Sequence, residues 1–324
     1  MSTRASIQVF VDRYLSERRR LGFASRSPGY ALQSFASHVK AVRHRGPLTI
    51  EIMSDWARRD SRGSSDPRTW AARLKNLRTF TRWLRQFEPR TEVPDDAIFG
   101  RIGERQAPHI YHEREIADLL AAARRLGPAL GLRGAVYEAL FGLIACCGLR
   151  VSEALALRDA DVDLARGMLI VRQTKFAKSR QVPMHLSAVE ALRRYQLQRR
   201  MAIATTDTSW FFVGTRGRCQ GQALSERQVH RVFAELRKQL SWSNRGAHHA
   251  PRIHDLRHTF VVRRILLWHA QGIDIDQAML SLSTYVGHAM VTNTYWYLSA
   301  VPELMALAAG RFESFMARTE VIDA

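Results

Sequence analysis

Two arginines, two histidines and a tyrosine in this chain have types and spacing suited to one reaction, attack on a phosphodiester. Thr284 to Ala300 reads TYVGHAMVTNTYWYLSA, opening on Gly287-His288 and closing on Tyr295 and Tyr297. Thirty residues upstream stands His254-Asp255-Leu256-Arg257, and about a hundred before that Gly148-Leu149-Arg150-Val151-Ser152-Glu153 adds a second arginine. A guanidinium donates two parallel hydrogen bonds and keeps its charge, so a pair of them can hold the two non-bridging oxygens of one phosphate. The same pair would stabilise the added charge of a pentacoordinate transition state. A tyrosine hydroxyl can serve as nucleophile, and an imidazole suits proton transfer near neutral pH. His254 and Arg257, three apart, share one helix face, with Leu256, Phe260, Val261 and Val262 seating that helix in a core. Arg150 also has a plainer reading, as the structural partner of Glu153 beside a helix that Ser152 would cap. Tyr295 and Tyr297, two apart on a helix, point to roughly opposite sides, so one of them at most faces a phosphate.

The chemistry needs a polyanionic partner, and the composition agrees. The 324 residues carry 49 Lys plus Arg against 30 Asp plus Glu, a net charge of +19. Basic side chains displace condensed counterions from phosphates, which is what drives binding to nucleic acid. A generally basic proteome is the competing source of such a surplus. The charge is spread along the chain rather than confined to a tail: the first hundred residues hold 19 basic and 10 acidic side chains. With 46% hydrophobic residues the chain is long enough for two domains with separate cores. Cys146, Cys147 and Cys219 have no metal-ligand spacing and read as reduced thiols of a cytoplasmic protein, the first two on a buried helix. No apolar leader opens the chain, and the longest apolar run, Ala139 to Leu149, is too short for a bilayer. Neither a phosphate-binding Gly-x-x-x-x-Gly-Lys loop nor a zinc spacing occurs, and Asp159, Asp161 and Asp163 read as a loop rather than a Mg²⁺ site.

The elements that must position these residues fall into two groups. Residues 1–88 read as a helical domain of four helices, the first with Ile7, Phe10, Val11, Tyr14 and Leu15 at helical spacing, the second with Leu32, Phe35, Val39 and Val42, the third over Ile50 to Arg59. Asp66-Pro67 is an N-cap followed by an N1 proline and starts the fourth, running to about Phe87. That helix carries Arg68, Arg73, Lys75, Arg78 and Arg82, a candidate DNA-backbone contact or a solvated face. Residues 89–110, with three prolines and no sustained period, read as a linker. From Tyr111 a second domain, 111–324, is mainly helical with a small sheet: strands at Met168 to Gln173 and Arg180 to Pro183 around a turn, and a short strand over Trp210 to Val213. Ser187 with Glu190, Ser225 with Gln228, and Asp274 with Gln277 mark helix starts. Pro302 to Phe315 reads as a last helix, suited to docking on a neighbouring copy or to packing on its own domain. The predicted fold class is therefore mainly α with a small β-sheet.

Arg150 in GLRVSEALAL, Lys175 in QTKFAKSRQVP, His254 and Arg257 in HDLRHTF, His288 in VGH, and Tyr297 nine residues later together resemble the tyrosine recombinase (phage integrase) family. The match covers about Tyr111 to Ala300; the helical N-terminal domain resembles that family's core-binding domain in size and position only. The flanking sequences look most like recombinases of bacterial mobile elements. The resemblance implies a mixed α/β catalytic domain that cuts and rejoins double-stranded DNA through a 3′-phosphotyrosyl link and a Holliday junction. It implies a homotetramer on DNA, alone or beside related recombinases, at the nucleoid and with no cofactor. Tyr297 would be the nucleophile, favoured over Tyr295 by its distance from Gly287-His288. Lys175 would be the general acid, with Lys178 its nearest rival, and His254 the general base. His288 would bond the phosphate or support the site, and Glu153 would orient Arg150. A type IB topoisomerase shares this residue set, and a catalytically silent DNA-binding accessory protein could retain the fold.

Overall fold

The computed structural model describes residues 6–23, 26–59, 63–100, 105–128, 131–172, 179–203, 209–301 and 304–305. The chain divides into two compact units, Met1–Arg105 and Gln106–Ala324.

The first unit contains α1 (Ile7–Arg20), α2 (Arg26–Ala41), α3 (Ile50–Arg58) and α4 (Pro67–Leu84). Their apolar stripes meet in one core of Leu15, Phe35, Trp56, Leu77 and Phe80, with Val11 and Leu32 fully enclosed. Val42, assigned to this stripe from its spacing, instead lies exposed just past the end of α2. Asp66 caps α4 as its sequence predicts, its carboxylate accepting from the Arg68 amide at 2.9 Å, with Pro67 at the first helical position.

The stretch expected to link the units is largely packed instead. The Glu92 amide donates to the Leu48 carbonyl, Arg78 donates to the Pro94 carbonyl, and Phe99 lies 5.7 Å from the Trp70 ring, so this part belongs to the first core. At the other end Ala247 donates to the Ala107 carbonyl and Tyr111 to the Thr259 hydroxyl, tying residues 107–111 to the second unit. Prolines break the period here, but Phe99 and Tyr111 still find cores.

The second unit builds around α6 (Leu132–Cys147), which is apolar on most of its surface and packs against α5 (Glu113–Arg124), α8 (Leu186–Ala202) and α10 (Ile253–Ala270). Of its cysteines Cys147 is buried and Cys146 is exposed. α6 ends at Gly148, whose left-handed φ of 61° turns the chain into α7 (Val151–Leu155). A short 3-10 turn, Asp159–Asp161, leads to an antiparallel sheet in the order β1 (Val162–Asp163), β2 (Met168–Val171) and β3 (Arg180–Pro183). The pairing sets Leu169 opposite Val182 and Val171 opposite Arg180. Leu169, Val171 and Val182 face the core. β1 escaped the sequence reading because two residues carry no period. The Trp210–Val213 segment, expected as a strand, makes only isolated bridges to Arg158 and Ala223. Its Phe211, Phe212 and Val213 are fully buried without a ladder.

α9 (Glu226–Leu240), α10, α11 (Ile275–Val286) and α12 (Thr292–Ala300) complete the unit. Ser225 and Asp274 cap α9 and α11 as expected. At α8 the cap is His185, whose ring accepts from the Ser187 amide, rather than Ser187 itself. Among the described residues no helix is long and apolar enough to cross a membrane. The carboxylates read as a loop are held by arginines: Asp159 accepts from Arg199 at 2.7 Å on both oxygens, and buried Asp161 pairs with Arg172.

Candidate active site

Three segments distant in sequence meet at one carboxylate. Arg150, not Ser152, is the N-cap of α7, and Glu153 at the third helical position accepts from the Arg150 amide at 3.0 Å. The other Glu153 oxygen accepts from the Arg150 guanidinium at 2.6 Å. Glu153 also receives a two-pronged pair from Arg180 on β3, at 3.1 and 2.9 Å, and Arg257 approaches it at 4.0 Å. Glu153, expected to orient Arg150, gathers three guanidiniums. Arg180 was missed by the sequence reading. It stands 27 residues from Glu153, and no local pattern marks it beyond a charged residue at the inward edge of a strand.

Burial alone would raise the Glu153 carboxyl. The Arg180 hydrogen bonds and charge, with the Arg150 amide and guanidinium, outweigh it and bring the pKa to about 2, against an ordinary 4.5. A carboxylate depressed on folding contributes stability that is full above 4.5 and is lost as pH falls from 4.5 through about 2. Replacing Glu153 by Gln should therefore destabilise the second unit at pH 7 by about 3 kcal/mol, the cost of breaking a buried ion pair from one side. In thermal unfolding the gap between variant and native protein should close as pH drops through that window, because the native protein loses the same interaction. A gap that stays constant from pH 7 to pH 3 would contradict this.

Arg257 is the centre of the arrangement. It is 1% exposed on α10, and its guanidinium donates to the Gly148 carbonyl at 2.6 Å and to the Val286 carbonyl at 2.7 Å. Arg150 donates to the next carbonyl, that of Gly287, at 2.9 Å. The C-terminal turns of α6 and α11 thus offer orphan carbonyls, each turn made by a left-handed glycine, and the arginines satisfy them. Burial, and after it the like charge of Arg150, lowers the Arg257 pKa to about 9, so it stays charged at neutral pH. Among the described residues, three guanidiniums face one carboxylate here. Such a surplus in a poorly solvated place gains from a bound anion.

Gly287 has φ 70° and ends α11, and a Cβ built on it would lie 2.6 Å from an Arg180 terminal nitrogen. That nitrogen is held by Glu153 and cannot simply swing away. Gly287→Ala should cost about 1–2 kcal/mol in backbone strain and push Arg180 off Glu153. The expected result is a lower melting temperature; an unchanged one would contradict it.

One residue beyond Gly287, His288 is held by its Nδ1 at 2.8 Å from the Thr294 hydroxyl and lies parallel to the Tyr297 ring at 6.4 Å. Tyr297 is fully buried in the cluster of Val261, Ile265 and Val286, near enough to Arg257 for the charge of one to act on the other. Tyr295, by contrast, is 36% exposed and reaches Asp276 on α11 at 3.4 Å. His254 occupies the first turn of α10, half-buried, its ring 4.7 Å from that of His258. The sequence reading passed over His258, although HDLRHTF contains it. Nδ1 of His258 and the Tyr297 hydroxyl lie 2.6 Å apart, both residues buried. Its i, i+4 relation to His254 was the available signal. Lys175 and Lys178 lie outside the described residues, as does the helix expected over Pro302 to Phe315, apart from Leu304 and Met305.

In the first unit the basic residues of α4 differ among themselves. Arg68, Lys75 and Arg82 are exposed. Arg73 donates to the Trp56 carbonyl and covers the Trp56 ring at 4.3 Å, and Arg78 bonds the Pro94 carbonyl and Asp96.

Known proteins resemble this chain throughout its length. A protein of Sinorhizobium fredii described as an integrase/recombinase is 36% identical over 306 residues, covering 94% of this chain and 96% of the relative. The tyrosine recombinase XerC of Chlorobaculum tepidum is 32% identical over 248 residues, covering 71% and 68%. Among solved structures, the Tn1549 transposon integrase in complex with transposon right end DNA superposes with a TM-score of 0.62 at 18% identity, over 97% of this chain and 99% of that one. The XerH site-specific recombinase bound to a palindromic difH substrate gives 0.61 at 15% identity, over 88% and 78%. At those identities the structures speak for the fold alone. Residues 110–303, which bring Arg150, Glu153, Arg257, His288 and Tyr297 to one place, match the phage integrase family model, and the chain belongs to that family of tyrosine recombinases.

Proposed function

We propose that this protein is a site-specific recombinase that breaks and rejoins duplex DNA through a 3′-phosphotyrosyl bond at Tyr297. The observation that carries the reading is the meeting of Arg150, Arg257 and Tyr297 beside the Gly287 turn, Arg150 coming from a segment more than a hundred residues before the other two. Arg150 and Arg257 would hold the scissile phosphate, using donors left after their carbonyl and carboxylate contacts. Glu153 would keep Arg150 aimed and set its charge against Arg180. As the Tyr297 oxygen bonds to phosphorus, the bond to the 5′ oxygen breaks. The phenol proton goes to a base, with His254 the candidate, and the leaving oxygen takes a proton from Lys175. His288, fixed by Thr294, would support the phosphate side of the tyrosine. The phosphotyrosyl ester conserves the energy of the broken bond, so resealing needs no nucleotide cofactor.

Duplex DNA as substrate is supported by the DNA complexes of the transposon integrase and of XerH, and by the net charge of +19. The first unit would add backbone contacts through Arg68, Lys75 and Arg82, with Arg73 and Arg78 stiffening the helix that carries them. Four copies would assemble on two sites, alone or with related recombinases, in the cytoplasm at the nucleoid.

The test is capture on nicked duplexes taken from the sequence around the protein's own coding region. A detergent-resistant adduct, with a free 5′-hydroxyl released, is the expected result. Absence of an adduct on every duplex it binds would leave an accessory DNA-binding protein. Supercoil relaxation without any site requirement would indicate a topoisomerase.

A further inference from the structure

We propose that His258 is a positioning residue for the nucleophile: in the protein without DNA its Nδ1 accepts the Tyr297 phenol hydrogen and fixes where that oxygen points, before the base takes the proton. The proposal rests on the recombinase reading and adds to it a group with no role in that reading.

The geometry carries it. A tyrosine with no solvent exposure must give its hydroxyl to a protein partner, since burial removes the water that would otherwise satisfy it. His258 stands 2.6 Å from that hydroxyl and is 3% exposed. It follows Arg257 directly, so one turn of α10 supplies both an arginine of the anion site and the contact to the nucleophile. His254, one turn earlier, meets the His258 ring edge-on at 4.7 Å and packs it from the N-terminal side. Trp296 lies 6.1 Å from the same ring and 5.2 Å from that of Tyr297. The imidazole is therefore fixed in place by two neighbouring rings while its Nδ1 faces the phenol. Tyr295, on the other side of α12, has a carboxylate for company, whose charge works against forming a phenolate. The contact thus selects one tyrosine of the pair and fixes its oxygen, close enough to Arg257 for the charges to interact. Small displacements of a reacting atom cost large factors in rate, about 10²-fold for 1 Å.

Two readouts test this on the full-length protein. The first is nitration by tetranitromethane without DNA, mapped by peptide. Tyr297 should be protected in the native protein and in His258→Asn, whose side-chain oxygen can occupy the Nδ1 position, and modified in His258→Ala. The second is single-turnover covalent capture on a nicked duplex. His258→Ala should slow it at least tenfold with the DNA dissociation constant unchanged, and His258→Asn should restore most of the rate. Equal protection of Tyr297 in the alanine variant would overturn the proposal, as would a capture rate within twofold of native. Should His258→Ala fail to fold, His258→Gln replaces it: its amide reaches the Nε2 position instead. A glutamine variant as fast as the asparagine one would count against the proposal, and a slow one supports it. The nitration arm needs no DNA, so it reads the contact even where the native protein forms no adduct and the recombinase reading itself fails.

Discussion

Alanine at Arg257 should cut covalent DNA capture by roughly 10³-fold or more, with DNA binding reduced far less. The magnitude follows from removing a fixed, poorly solvated cation aimed at developing charge, where loss of a single donor costs about 10²–10³. Arg257 is also a structural group. Its two hydrogen bonds to the Gly148 and Val286 carbonyls would be lost, at about 1–3 kcal/mol for each buried acceptor left without a partner. The alanine variant should accordingly melt several degrees lower, and its loss of activity has to be separated from unfolding. Arg257→Lys does this. It keeps the charge, but one ammonium cannot span two carbonyls and a phosphate as the planar fork does. Measured below both melting temperatures, the lysine variant should bind DNA normally and still lose at least about 10²-fold in capture rate. A lysine variant as active as the native protein would show that charge alone matters and that the fork geometry does not.

Phenylalanine at Tyr297 should abolish the adduct altogether, a loss of roughly 10⁴-fold or more, as expected when a nucleophile is removed from a site that is otherwise intact. The ring fills the same space among Val261, Ile265 and Val286, so the fold and the band shift should be preserved, with about 1–3 kcal/mol lost along with the buried hydrogen bond to His258. Tyr295→Phe is the matched control: its half-exposed ring and long contact to Asp276 give no route to the anion site, and capture should stay within twofold. Adduct formation by the Tyr297 variant would end the assignment.

Local signals in the sequence located most of the scaffold. Asp66-Pro67, Ser225 and Asp274 begin helices because each offers a short acceptor to an unpaired helical amide, and that chemistry is written within three residues. The hairpin strands were legible for a similar reason, since the alternation of Leu169 and Val171 gives a period of two. What escaped depends on partners far away. Arg180 looks like any strand charge until the fold brings Glu153 to it. His258 looks like a packing residue of α10 until α12 lays Tyr297 on it. At His185 a ring nitrogen took over the cap that the serine two residues on would be expected to supply. The packed state of residues 89–100 was hidden because proline erases helical period without preventing Phe99 and Glu92 from finding tertiary contacts. The site residues came from motif spacing, and the structure adds the reason for that spacing: Gly148 and Gly287 end two helices whose last carbonyls the two arginines satisfy.

The most direct test of the central claim is to locate the covalent bond. Native protein trapped on a nicked duplex is digested with protease and nuclease, and the peptide bearing the residual nucleotide is sequenced by fragmentation in a mass spectrometer. The account predicts the added mass on Tyr297, joined through a 3′-phosphate, with Tyr295 of the same peptide unmodified. A nucleotide on Tyr295, or on a residue outside α12, would contradict it.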